Sequence, residues 1–188
     1  MPVRLFIALE TPPDIKPRIR SLIADLKQIE AEVKWEPAEK LHATVKFLGN
    51  TDEELVGRIV ESLNKICIEH GPISLMYSGL GCFPPGRRAR VIWIGMKELT
   101  GALQQLARSV EDAMEGLGFE REQRTFTPHL TIGRVKGEKR IDPLLRKLET
   151  VTFDTEAVAL RELILVRSVL KPGGSEYTIL NSVPFGNG

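Results

Sequence analysis

Two stretches of this chain, LHATVKFLG at 41–49 and PHLTIGRVKG at 128–137, place a histidine and a threonine one residue apart inside an apolar run. In an extended strand, residues i and i+2 point to the same face. His42 and Thr44 therefore share a face, with Leu41, Ala43, Val45 and Phe47 opposite. His129 and Thr131 share a face, with Leu130 and Ile132 opposite. Each stretch calls for a strand with one side in a core and the other open. The two histidines stand 87 residues apart (42 to 129) in a chain of 188, close to half its length. The sequence looks weakly duplicated around them, so the fold must accommodate two such half-buried strands.

The rest of the chain supplies the partners. VRLFIAL at 3–9 reads as a strand, and Thr11-Pro12-Pro13 opens a helix to about Glu30, with Ile15, Ile19, Leu22, Leu26 and Ile29 at helical spacing. VKWE at 33–36 is a short strand. The first motif strand is expected to end at a Gly49-Asn50 turn. Thr51 and Glu54 form a capping-box pattern ahead of a helix carrying Leu55, Ile59, Leu63 and Ile66. His70 reads as the cap at its end, where a helix C-terminus favours imidazolium. Strands near 73–82 and 90–97 flank the loop FPPGRRA, and a helix over 99–117 shows Leu99, Leu103, Leu106, Val110, Ala113 and Leu117 on one side. After the second motif strand, with Pro128 at its first position, come a short helix near 142–149 and strands near 158–168 and 176–182, joined by LKPGGS. Several strands follow one another directly. That favours an α+β protein with antiparallel pairs over a doubly wound parallel sheet.

Charge and cysteine usage narrow the function classes. The net charge is +1, so any polyanion must be met by a local patch. The two cysteines, Cys67 and Cys82, are too few for a disulfide scaffold and read as thiols in a reducing compartment. No run approaches the roughly 18 apolar residues of a membrane span, and the short apolar start lacks a cleavage site. These features read as a cytoplasmic protein that does not enter a membrane. The three histidines and two cysteines show no metal-ligand spacing, so neither metal nor cofactor is expected.

Two imidazoles beside two hydroxyls suit a phosphodiester. Cleaving a P–O bond with water needs a base for the water proton and an acid for the leaving oxygen. Histidine plays either role near neutrality. Each threonine hydroxyl can hydrogen-bond a non-bridging phosphate oxygen, where charge builds in the transition state. The pattern leaves open which histidine is acid and which is base.

These motifs, with RLFIALETP, GLGCFPPGRRARVIWIG, FTPHLTIGR and KPGGSEYTIL, resemble the 2H phosphoesterases over nearly the whole chain, and within them the RNA 2′,3′-cyclic phosphodiesterases, also called 2′-5′ RNA ligases. The resemblance implies one bilobal catalytic domain over 1–188, with two pseudo-symmetric lobes, antiparallel sheets facing a central cleft and helices outside. It implies hydrolysis of 2′,3′-cyclic phosphate RNA ends, tRNA fragments among them, to a 2′-phosphate by a monomer. By matching position, His42 is implied as proton donor, His129 as proton acceptor, and Thr44 and Thr131 as phosphate-binding residues. Ligation without ATP is the reverse sense of the same chemistry.

Five further residues are candidate RNA or phosphate contacts. Lys46 shares the His42 face in a regular strand. Arg134 belongs to the resemblance; a regular strand puts it opposite His129, whereas a bulge at Gly133 brings it back. Arg88 and Arg90 stand in a basic loop near Phe83 and Trp93, a mixture that suits a single-stranded RNA end. Phe126 precedes the second motif, and the resemblance makes it a candidate base-stacking residue, with a core role as its alternative. Trp93 reads as core. Two other functions stay open: a cyclic phosphodiesterase acting on a small nucleotide or ADP-ribose cyclic phosphate, and an RNA-end-binding module without turnover.

Overall fold

The structure is a computed structural model that describes residues 2–172 and 174–186. In chain order the elements are β1 (Val3–Glu10), α1 (Lys16–Lys27), β2 (Val33–Trp35), β3 (His42–Thr51), α2 (Val56–Glu69), β4 (Ile73–Phe83), β5 (Val91–Lys97), α3 (Ala102–Gly116), β6 (His129–Val135), α4 (Ile141–Thr150), β7 (Val158–Leu160), β8 (Glu162–Lys171) and β9 (Gly174–Pro184). The strands form two sheets, ordered β3-β1-β8-β9 and β2-β6-β5-β4-β7. Every pairing is antiparallel, as runs of consecutive strands imply. Each His-x-Thr stretch is thus a strand of its own sheet, and the two strands, β3 and β6, touch one another.

One large core joins the helices to both sheets. Strand β1 shows why its sequence is apolar without alternation. Leu5, Ile7 and Leu9 enter the main core, while Phe6 and Ala8 join Ile164 and Val166 in a small cluster on the sheet's other face. On the helices the spaced residues Ile19, Leu22, Leu26, Ile59, Leu63, Leu103, Leu106 and Val110 are buried, as helical periodicity requires.

The boundaries differ from expectation in several places. Helix α1 begins at Lys16, with Pro17 in its first turn, and Thr11 lies buried ahead of it with its N–H on the Leu41 carbonyl. The Thr51–Glu54 box does not form: Thr51 Oγ1 bonds the Gly49 carbonyl, a 3-10 turn at Glu53–Leu55 intervenes, and α2 has no side-chain cap. Strand β3 does not turn at Gly49. It runs through Gly49, at φ +69°, to Thr51, with a register break there that absorbs the kink. The His70 backbone, not its ring, closes α2, and Nε2 lies 3.2 Å from Ser109 Oγ on α3. Leu99 precedes α3 and is exposed, because Glu98 accepts bonds from the Thr100 and Leu103 N–H groups and starts the helix later. The β8–β9 connection includes Gly173, outside the described residues.

Candidate active site

The two motif strands carry the same local geometry. His42 Nδ1 lies 2.9 Å from the Lys40 carbonyl, and His129 Nδ1 lies 2.7 Å from the Thr127 carbonyl. A carbonyl only accepts, so each Nδ1 carries the proton. Each neutral ring is thereby fixed in one tautomer with Nε2 left as the basic nitrogen. In each strand the threonine two residues on is half-buried on the same side, and the apolar partners Ala43, Val45, Leu130 and Ile132 are buried opposite.

Just past each threonine comes a bulge. Ala8 pairs Thr44 and Ile7 pairs Lys46, which leaves Val45 as the extra residue. Trp93 pairs Thr131 and Ile92 pairs Gly133, which leaves Ile132 as the extra residue. An extra residue inverts the alternation beyond it. Two sequence-based assignments change as a result.

Lys46 does not share the His42 face. It is buried on the core side, 2.8 Å from Glu111 of α3 and 2.9 Å from the Glu120 carbonyl. Phe47, expected in the core, takes the open face instead and is 65% exposed, its ring 6.0 Å from Phe6. On the second strand the inversion brings Arg134 back to the side of His129 and Thr131. It sits exposed, 3.7 Å from Glu36, and its charge acts on His42 across the gap between the sheets. The first and second motifs therefore present His-Thr-Phe47 and His-Thr-Arg134.

Aromatic rings frame both histidines. The Phe6 ring stacks on His42 at 4.6 Å and 26°, and Tyr177 of β9 meets the same imidazole edge-on at 5.1 Å. Ala8, between Phe6 and His42 along the register, leaves room for that stack. Burial among these rings holds the His42 imidazolium below the usual histidine range and Arg134 adds to the effect, while the bond to Lys40 and the charges of Glu36 and Glu10 oppose it. On the other strand Phe83 meets His129 edge-on at 5.3 Å and lies 5.1 Å from Trp93.

Trp93 is not a core residue. It pairs with Thr131, so it stands on the face of the second motif. Phe126 is half-buried against the main core and makes no ring contact with either histidine. Arg88 and Arg90 are exposed in the loop after Phe83, while Arg87 is held 3.0 Å from Asp142. The Arg90 backbone bonds Phe83 on one side and Val135 on the other, which ties the basic loop to the His129 end of the sheet. Among the described residues no three His, Cys, Asp or Glu side chains form a group able to hold a metal ion. Among the described residues no helix is long and apolar enough to cross a membrane.

Phe6, Tyr177 and Glu36 join the site without a sequence assignment, Phe47 joins it from the face expected to be core, and Phe83 is legible in the sequence only as a neighbour of the basic loop. Tyr177 falls within KPGGSEYTIL, one of the segments that carry the resemblance, and that was its only signal.

Known proteins are similar to this chain in sequence and fold. The 2′-5′ RNA ligase superfamily matches residues 11–169. The RNA 2′,3′-cyclic phosphodiesterase of Archaeoglobus fulgidus is 35% identical over 176 residues, 93% of this chain and 96% of that protein. The RNA 2′,3′-cyclic phosphodiesterase of Methanocaldococcus jannaschii is 35% identical over 182 residues, 95% of this chain and 98% of that protein. Among solved structures, E. coli LigT complexed with 3′-AMP superposes with a TM-score of 0.79 at 26% identity, covering 98% of this chain and 99% of that one. TT0787 of Thermus thermophilus shares the fold, with a TM-score of 0.83 at 23% identity over 98% of both chains.

Proposed function

Because the chain belongs to the 2′-5′ RNA ligase superfamily, we propose that it hydrolyses 2′,3′-cyclic phosphate ends of RNA to 2′-phosphates by two-histidine acid–base catalysis. The observation that carries the proposal is the repeated geometry of β3 and β6: an imidazole fixed through Nδ1, a threonine beside it, and a bulge that sets the next open-face residue. Relatives at 35% identity carry the RNA 2′,3′-cyclic phosphodiesterase name, which supports the substrate.

In this mechanism His129 Nε2 takes a proton from water as its oxygen attacks phosphorus. The P–O3′ bond breaks, and His42 gives its Nε2 proton to the departing O3′. The Thr44 and Thr131 hydroxyls donate to the non-bridging oxygens, and the Arg134 guanidinium offsets their charge. The terminal base stacks on exposed Phe47, beside the phosphate site, and Arg88 and Arg90 contact the chain upstream. The reaction needs no metal or cofactor. The protein acts as a monomer, one bilobal catalytic domain over 1–188, in the cytoplasm on RNA ends such as tRNA fragments.

The test is incubation of an oligonucleotide ending in a 2′,3′-cyclic phosphate with the enzyme in EDTA, followed by product identification. A 2′-phosphate is expected. A 3′-phosphate product, or activity abolished by EDTA and restored by a metal, would overturn the mechanism.

A further inference from the structure

We infer that the enzyme carries, beside His129, a subsite for the 5′-terminal nucleoside of a second RNA strand, the acceptor in ATP-independent 2′-5′ joining. The inference rests on the proposed assignment of His129 as base. A cavity of about 430 Å³ opens on the second sheet, lined by Ser78, Trp93, Gly95, Lys97, Gln104 and Thr127 among others. Its place is set by register. Gly95 pairs directly with His129 and Trp93 with Thr131, so these positions share the motif's face. Thr127 is the residue whose carbonyl fixes the His129 ring.

Two glycines let the strands and the indole pack closely at the cavity's edge. A Cβ at Gly95 would stand 2.6 Å from the Ser78 carbonyl oxygen, and one at Gly81 would stand 2.2 Å from the Trp93 ring. The indole lies across both glycines, a flat aromatic surface where a strand would otherwise carry side chains. On the rim, Lys97 and Gln104 are exposed and make no side-chain hydrogen bond or ion pair among the described residues. The Glu98 carboxylate, also in the lining, is engaged by Thr100 and the Leu103 N–H, so a stacking surface beside a cation and an amide is what remains for a nucleoside and its phosphate.

In-line displacement decides which nucleoside. The nucleophile enters opposite the leaving oxygen. With O3′ departing toward His42, the nucleophile lies at His129. A single attacking water needs no cavity of this size, whereas about 300–1,000 Å³ is the range of small-molecule sites. The donor's own ribose is tied to the His42 side through O3′. The group beyond His129 is therefore the carrier of an attacking hydroxyl. In the joining step the acceptor's 5′-oxygen bonds phosphorus and passes its proton to His129. The P–O3′ bond breaks and His42 protonates O3′. A 2′-5′ phosphodiester forms with no net gain or loss of protons and no nucleotide consumed. In reverse, the same cavity holds the leaving 5′-nucleoside of a 2′-5′ linkage.

The experiment compares two rates in wild type, Gln104→Trp and Lys97→Glu: cleavage of a 2′-5′-linked oligonucleotide, and hydrolysis of one ending in a cyclic phosphate. For Gln104→Trp, which fills the cavity from its rim, the ratio of cleavage to hydrolysis should fall about tenfold or more, the scale of one lost base stack. Lys97→Glu should lower it in the same direction. The indole N–H resonance of Trp93, distinguished from Trp35 by a Trp35→Phe variant, should move when a 5′-hydroxyl oligonucleotide is added to enzyme saturated with 2′-phosphate product. A parallel fall in both rates would assign the cavity to the donor strand and overturn the inference. An unchanged ratio with an unmoved Trp93 signal would place the acceptor elsewhere and overturn it too. Wild type that hydrolyses cyclic ends but neither cleaves nor forms 2′-5′ bonds would overturn the subsite and leave the hydrolytic reading standing. Absence of hydrolysis would instead sink the underlying reading, and the subsite with it. Should Gln104→Trp fail to fold, the exposed Lys97→Glu variant and the wild-type resonance still decide.

Discussion

Replacing Lys46 with methionine separates the bulged strand from a regular one. In a regular strand Lys46 stands beside His42, and its loss removes a cation from the reaction. With Val45 bulged, Lys46 belongs to the core. Its side chain is 3% exposed and Glu111 is 15% exposed, with 2.8 Å between them and a further bond from Lys46 to the Glu120 carbonyl. Removing the lysine leaves the Glu111 carboxylate with the Glu122 N–H but no cation, and the Glu120 carbonyl without the ammonium, a cost of about 3–5 kcal/mol. The partial exposure of Glu111 points to the lower end. In a protein of this size that lowers the melting temperature by about 6–20 °C. Urea denaturation measures it directly, and kcat/KM is assayed where both proteins are folded. Lys46→Met should lose that stability and keep near-wild-type kcat/KM. Lys46→Met combined with Glu111→Leu should recover most of the loss, since an apolar pair satisfies the same space. Unchanged stability with a drop of about 100-fold in kcat/KM, the scale of a lost transition-state contact, would refute the bulge argument.

Three other outcomes follow from the site. Burial holds the His42 imidazolium below the usual histidine range, so with His42 as acid the high-pH limb of kcat/KM lies below the ordinary value of about 6.5. Arg134→Gln should move that limb up and Glu36→Gln should move it down, because Arg134 lowers and Glu36 raises the His42 value; a pH–rate series showing neither shift contradicts the assignment. Phe47→Ala should weaken oligonucleotide affinity by about 1–3 kcal/mol with little change in urea midpoint, since the ring is 65% exposed; equal binding by the variant removes Phe47 from the RNA site. Tyr177→Leu should change the pH profile along with kcat, because the ring packs edge-on against His42; a loss of stability alone leaves Tyr177 a purely structural residue.

The sequence carried what depends on periodicity. Alternation placed His42 with Thr44 and His129 with Thr131 on open faces, and helical spacing found the buried stripes of α1, α2 and α3. It did not carry what depends on the partner strand. A bulge is one residue unpaired by its neighbour, so nothing in ATVKF marks Val45 as the extra residue, and in LTIGR Gly133 only suggested a bulge whose extra residue is Ile132. That single unknown inverted the sides of Lys46 and Phe47, and it decided between the two readings of Arg134. The rings around His42 were hidden for another reason. Phe6 sits in the unbroken apolar run of β1, buried on both faces, and Tyr177 arrives from a strand at the far edge of the sheet. Trp93 looked like core because VIWIG is apolar, yet its pairing with Thr131 puts it on the motif's face, where its ring packs directly on Gly81. The capping box failed because a 3-10 turn separates Thr51 from the helix proper.

The central claim is that His42 and His129 act as one acid–base unit on a cyclic phosphate. The most direct measurement is single-turnover hydrolysis of a 2′,3′-cyclic-phosphate oligonucleotide by wild type, His42→Gln, His129→Gln and the double variant, each verified as folded. Each single substitution should cost about 10²–10⁴ in rate, and the double variant should be little slower than the worse single, because groups that act together are non-additive. Either single variant retaining about a tenth of wild-type activity, or losses that multiply in the double variant, would contradict a shared two-histidine mechanism.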